Sequence, residues 1–373
     1  MSHKMNRRVF LTRVLTLSAA GAALGAAGCG SKPTPMPTPA PQPTAATPTT
    51  LPPTTVPATA APTASPMPAA QAAAAPTVAA PTAGAATAAP ATATAVPATP
   101  AANAYLAVAK GPDAAPAEIT RRAIAALGGI ERFVKKGSDV IIKPNVCTPY
   151  YTFEYAATTN PEVVAALVTL CLDAGAKRVR VMDFPFGGTA QASYEKSGIG
   201  AAVKAAGGTM EVMSNMKYRD VPIPQGKRIK QWKVYGDIMD ADVVIDVPIA
   251  KDHSGATLTL GMKNLMGVVL DRNGMHSRGL HQSIADINTV VRPQLTVVDA
   301  IRILTNNGPT GGNLNDVKKL DTIIASADIV AADAFATTLF NMKPTDIDYI
   351  RFGAEMGLGK MDLKAIQIEQ VSV

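Results

Sequence analysis

From residue 105 to the C-terminus, apolar runs of strand length alternate with segments whose apolar residues recur at helical spacing, the signature of parallel βαβ units. Strands are predicted at 105–109 (YLAVA), 140–143 (VIIK), 179–183 (VRVMD), 243–251 (VVIDVPIAK), 295–300 (LTVVDA), 322–326 (TIIAS) and within the final AIQIEQVSV. The β-branched run at 140–143 suits a strand covered on both faces, and Pro144 stops it. Runs at 211–213 and 229–235 read as edge or inserted strands, the second with polar residues alternating. Helices are predicted at 116–127, between Pro116 and Gly128-Gly129, and at 161–174, with Asn160 as N-cap, Pro161 at the first helical position and Gly175 as the stop. Others are expected from about 190, at 280–291 and at 329–340. The fold class expected is therefore α/β: a mostly parallel sheet with helices on both faces, built as one large domain or as two lobes sharing a core.

The first 103 residues follow no such pattern. Asn6-Arg7-Arg8-Val9-Phe10-Leu11-Thr12 looks like the twin-arginine export consensus, with Arg7 and Arg8 as the address, and an apolar run follows it. That run ends in Ala26-Ala27-Gly28-Cys29, which resembles a bacterial lipobox, so Cys29 is the expected site of lipidation; an uncleaved membrane anchor is the alternative. Residues 30–103 are almost wholly Ala, Pro and Thr, with no charge between Lys32 and Lys110. Such a segment buries too little apolar surface to offset the entropy of ordering, and reads as a disordered stalk. The boundaries expected are 1–29 for the export leader, 30–103 for the stalk and 104–373 for the folded domain. The expected location is extracytoplasmic, anchored to a membrane or envelope through Cys29 after passage through the twin-arginine translocase.

The formal net charge of +7 is dispersed, with no basic run and no interleaved aromatics, which argues against nucleic acid and for small anions as partners. Besides Cys29, only Cys147 and Cys171 remain, too few for a disulfide framework and too far apart for a CxxC metal motif. Buried thiols are the expectation, a single disulfide between them the alternative.

Candidate chemistry is concentrated in 251–281, which holds His253, His276 and His281, every histidine except His3 of the leader. Lys251, Lys263, Arg272 and Arg278 lie in the same stretch. Three imidazoles suffice for an open transition-metal site, nickel or zinc by ligand type, and equally serve as acid/base groups near neutrality. Lys263, in an apolar setting beside Asn264, is a candidate nucleophile, base or carboxylate anchor if desolvated, and a snorkelling side chain on a helix if not. Lys143, Asn145, Asp183, Lys251, His253 and Asp299 all fall at the C-terminal ends of predicted strands, where open α/β sheets bind ligands. The amides at the start of the 161–174 helix and those of Gly308 and Gly311 in the 306–313 loop are further candidate anion donors. The bland reading of the histidine stretch is a surface loop.

VIIKPN, TTNPEVVAAL, the strand ending at Asp183, K-x-H at Lys251 to His253, T-x5-KNL-x-G from Thr257 to Gly267, and VVDA followed by GP-x-GG together resemble the family called domain of unknown function 362, over 105–373. The resemblance implies a prokaryotic α/β protein, sometimes fused to an iron–sulfur module; this chain lacks the cysteines, so no cluster is expected. A more distant likeness is to the nickel-pincer lactate racemases, in which a histidine base precedes a cofactor-bonded lysine and a later histidine ligates nickel. That likeness implies those roles for His253, Lys263 and either His276 or His281, but no second histidine base lies upstream of His253 in the folded part.

The sequence thus points to an exported enzyme using His253, Lys263, His276 and His281 on a small anion bound by Lys143, Asn145, Lys251, Asn264, Gly308 and Gly311. A lipid-anchored solute-binding protein and an envelope interaction module are the alternatives. His253, Lys263, Lys143, Asn145 and at least one of His276 and His281 are expected to share a pocket.

Overall fold

The computed structural model describes residues 104–373. The twin-arginine motif, the lipobox and the 30–103 stalk lie outside the described residues.

The strands are β1 (Leu106–Lys110), β2 (Asp139–Pro144), β3 (Arg178–Val181), β4 (Thr209–Met210), β5 (Tyr218–Pro222), β6 (Gln231–Tyr235), β7 (Val243–Val247), β8 (Ile249–His253), β9 (Thr257–Thr259), β10 (Leu295–Leu304), β11 (Val317–Ser326) and β12 (Ile368–Ser372). The main sheet runs β12-β1-β11-β10-β7-β2-β3-β4, with β8 paired to β10 and to β9. It is mostly parallel, but β11 runs antiparallel to both β1 and β10, and β9 is antiparallel to β8. Strands β5 and β6 form a separate hairpin. The hairpin's first strand carries Arg219 and Asp220 on exposed positions and so lacks the apolar run that marks the others.

The helices are α1 (Pro116–Ala126), α2 (Pro161–Asp173), α3 (Ala190–Lys196), α4 (Ile199–Ala205), α5 (Gly236–Asp240), α6 (Gly261–Asn264), α7 (Arg272–Ser277), α8 (Leu280–Asn288), α9 (Ile329–Thr337) and α10 (Asp348–Glu355). Alternation along the strands builds two cores on one sheet. Ile141, Val244, Val298 and Ile324 point to a layer formed by α5, α6 and α8 to α10, whereas Val140, Ile142, Ile245 and Ile323 point to α1 through α4. Because the two cores share the sheet, these residues form one compact unit and not two lobes.

The predicted strand 243–251 is two strands. Pro248, which has no N–H to give a ladder, separates β7 from β8, and β10 pairs with each in turn. Beyond the kink β8 turns back as a hairpin through β9 and brings Lys251 to within 2.9 Å of Asn145, just past the end of β2. Registers Ile142↔Val181 and Pro144↔Val247 hold the strand ends there level.

The candidate site and the family of the chain

A cavity of about 520 Å³ opens at the C-terminal ends of β2 and β3, beside β8. Lys143, Asn145, Lys251, His253, Lys263, Asn264 and His276 all line it. Sequence spacing separates these residues by as much as 133 positions; the strand ends and the β8–β9 hairpin bring them together.

The floor is a closed polar network. Lys143, fully buried, pairs with Asp183 at 2.7 Å and donates to Asn264 Oδ1 at 2.9 Å and to the Pro144 carbonyl at 2.8 Å. Asn264 Oδ1 also accepts from Asn145 Nδ2 at 2.8 Å, and its own Nδ2 donates to Asp246 Oδ1 at 2.8 Å. Burial holds the Asp246 carboxyl well above the usual carboxylate range, against the pull of Lys143. Asp246 was not legible as part of the site, since it sits inside the apolar run of β7 with no motif around it.

Lys251 is anchored more tightly than a ligand-binding lysine would be. Its ammonium reaches four acceptors: the Ala157 carbonyl at 2.6 Å, Asn145 Oδ1 and the Pro309 carbonyl at 2.9 Å, and Cys147 Sγ at 2.7 Å. Its three protons are spoken for by the chain, and it contributes charge to the cavity without a free donor. Cys147 and Cys171 are both free thiols and both buried. Burial pushes the Cys171 thiol up to about 12.

Two anion-binding expectations are corrected. The Gly308 amide donates to Asp252 Oδ2 at 2.9 Å, and the Gly311 amide to the Asn307 carbonyl at 3.0 Å, so this loop offers the cavity the Pro309 carbonyl instead of an amide nest. At the start of α2, the Asn160 side chain caps the Glu162 amide at 2.8 Å while the Asn160 amide donates to Asp299 at 2.6 Å. The Asn160 side chain and the buried Asp299 carboxylate thus occupy the Glu162 and Asn160 amides at that terminus.

The histidines separate into two places. His253 and His276 stack with ring centroids 6.3 Å apart at the cavity wall. His281 instead stacks on Tyr349 at 5.9 Å, bonds the Gly255 carbonyl and lines a different, smaller cavity with Phe352. His281, the second residue of α8, lines the smaller cavity and not this one, so it is not placed to serve as catalytic group or metal ligand here.

His253 Nδ1 accepts from the backbone amides of Gly255 at 2.9 Å and Ala256 at 3.1 Å. With its lone pair engaged there, Nδ1 carries no proton and Nε2 is the N–H. Burial, together with Lys263 and Lys251, pushes its pKa down to about 3, so the ring stays neutral and acts as a hydrogen-bond donor. A metal at Nε2 would require the proton to move to Nδ1, against two amide N–H groups. Among the described residues no group of three or more His, Cys, Asp or Glu side chains is placed to hold a metal. The three-histidine set for nickel or zinc thus does not fit the geometry.

Lys263 is the exception to this closure. It sits in α6, whose first two amides, Gly261 and Met262, are capped by the buried carboxyl of Asp333 at 2.7 and 2.9 Å. Lys263 Nζ has no hydrogen-bond or ion-pair partner among the described residues, and burial plus the neighbouring Lys251, Arg272 and Lys143 push its pKa down to about 7; only Cys147 opposes them. Arg272, at the start of α7, donates to the carbonyls of Phe184 and Pro185 and lies over the Phe184 ring, so its charge meets no carboxylate. Thr259 adds a buried hydroxyl with no partner, facing the same space; its place on the short strand β9 gave no sequence signal.

The sequence model of the family described as domain of unknown function (DUF362) matches residues 140–338, more than half of the chain and every residue of this cavity. The chain belongs to the DUF362 family. A relative of this DUF362 protein, the thylakoid-associated protein sll1697 of Synechocystis sp., is 29% identical over 240 residues, covering 62% of this chain and 72% of the relative. Two solved structures resemble it in outline. The lactate racemase apoprotein of Thermoanaerobacterium thermosaccharolyticum aligns with a TM-score of 0.40 at 11% identity, covering 64% of this chain and 57% of that one. A protein from Thermotoga maritima aligns with a TM-score of 0.39 at 12% identity, covering 60% and 59%. The chain therefore spans less than two thirds of the length of either structure.

Proposed function

We propose that this DUF362 protein is an exported, lipid-anchored enzyme that acts on a small carboxylate- or phosphate-bearing substrate in the strand-end cavity, with Lys263 as the reacting amine. The observation that carries the reading is Lys263 itself. In a site where Lys143 and Lys251 are saturated by the chain, it is left without an acceptor and close to neutral at physiological pH. The surrounding cationic groups attract an anion, and Arg272 retains uncompensated charge to hold it. His253 donates from Nε2, and the exposed His276 beside it is the group placed to exchange protons with solvent.

Export and anchoring rest on Arg7, Arg8 and Cys29 and on the stalk composition, and the thylakoid association in the relative's name supports a membrane location. Replacing Cys29 with Ser should release the protein or leave its precursor uncleaved, and replacing Arg7 and Arg8 with Lys should block export.

Solute capture at the same cavity is the second reading, favoured by the internally saturated floor, which is preorganised for binding. A panel of inorganic phosphate, lactate, pyruvate and succinate tests both. Under the enzyme reading, at least one member raises Tm and is consumed, and Lys263→Met abolishes consumption. Binding without consumption supports capture alone, and no shift with any anion overturns both readings.

A further inference from the structure

We infer that the substrate is a small oxo acid, an anion that also carries a carbonyl group, which Lys263 captures as an imine. The inference rests on the proposed role of Lys263 as the reacting amine and narrows what it reacts with.

An unprotonated amine in a cavity can take a proton or attack carbon. The surroundings favour the second. Both carboxylates at the cavity are engaged by the chain, Asp183 with Lys143 and the Val146 amide and Asp271 with the Gly274 amide, so neither answers a donor facing the cavity. Two donors, by contrast, have no acceptor among the described residues. The Thr259 hydroxyl is 3% exposed and unpartnered, and His253 presents Nε2–H because its Nδ1 is held by two backbone amides. The buried Thr259 hydroxyl without a partner is costly, and with the His253 Nε2–H lining the same cavity it asks for an oxygen that the ligand brings. A carbonyl oxygen supplies that acceptor, and polarising it makes its carbon open to the neighbouring amine. The ligand's anionic group answers Arg272 and the fixed charge of Lys251, and Met266 and Phe184 leave an apolar side for a short carbon skeleton.

The step balances without an oxidant or reductant. The Nζ lone pair forms a C–N bond as the carbonyl π electrons move to oxygen. One amine proton is transferred to that oxygen to give the carbinolamine, and the hydroxyl then leaves with the second amine proton as water, forming C=N. His253 and Thr259 stabilise the oxygen while it bears charge, and His276 is placed to relay the protons.

The test uses purified full-length protein with pyruvate and sodium cyanoborohydride, which reduces an imine to a stable amine. We expect one adduct, heavier by about 72 Da, mapped to Lys263, with lactate giving none because it lacks the carbonyl. Lys263→Met should abolish it, and Thr259→Val should lower its yield several-fold at unchanged Tm. If Lys263→Met does not fold, peptide mapping of the wild-type adduct decides alone. Pyruvate that raises Tm yet is never trapped at Lys263, or adducts confined to exposed lysines, would overturn the oxo-acid inference and leave the anion site standing. No Tm shift with pyruvate, lactate or phosphate would overturn the underlying reading with it.

Discussion

The ammonium of Lys143 lies 2.7 Å from the carboxylate of Asp183, and both are buried beneath the cavity floor. Charges so far from water are tolerated because each satisfies the other and because Asn264 and the Val146 amide take up the remaining hydrogen-bonding capacity. Removing one partner leaves an uncompensated charge. Lys143→Met should therefore destabilise the fold by about 3–5 kcal/mol in urea denaturation. The double variant Lys143→Met/Asp183→Leu should recover much of that loss, and a single variant with unchanged stability would show that the pair is solvated.

Lys263 bears the opposite sign. Its folded pKa of about 7 lies below the usual lysine value, so between the two the unfolded state binds the extra proton and stability rises with pH. Below about pH 7 the half-buried amine is charged in the folded protein as well, without an ion-pair partner among the described residues. Lys263→Met should accordingly be more stable than the wild type at neutral pH, and the difference in unfolding free energy should shrink as the pH is raised towards 10.5. A loss of stability in this variant would mean that the amine has a structural partner.

His253 should not titrate in the physiological range. Its folded pKa of about 3 lies below the unfolded value, so its contribution to stability is present at neutral pH and is lost as the pH falls through the ordinary histidine range. Wild type should lose more stability than His253→Gln between about pH 7.5 and about pH 5. Long-range proton–nitrogen NMR should show Nε2 protonated and Nδ1 bare.

Asp333 positions Lys263 by capping the first two amides of α6, although it touches no part of the cavity. Asp333→Ala leaves two buried N–H groups without an acceptor and should cost about 1–3 kcal/mol for each. Asp333→Asn retains a carbonyl oxygen and should cost less. The distinguishing readout is the Lys263 titration: if α6 loosens, the amine gains water and its apparent pKa should climb back from about 7 in Asp333→Ala.

The sequence by itself determined the frame of this protein. Apolar runs of β-branched residues marked the central strands, Asn160-Pro161 marked the start of α2, and polar residues placed directly after those runs marked the rim where Lys143, Asn145 and Lys251 meet. Such features are local, because a strand's two buried faces and a helix's cap are written in consecutive residues. What only the tertiary structure decided is which groups remain available. Lys143, Lys251 and Lys263 are alike in sequence, each a lysine at the edge of an apolar stretch. Four acceptors drawn from three distant segments close Lys251, a carboxylate forty residues away closes Lys143, and Lys263 alone is left without a partner. The same holds for the histidines. His281 at the start of α8 lines a different cavity from its two companions, and two backbone amides fix which nitrogen of His253 bears the proton. Hydrogen bonding between residues remote in the chain sets protonation and reach, and no periodicity along the chain records it.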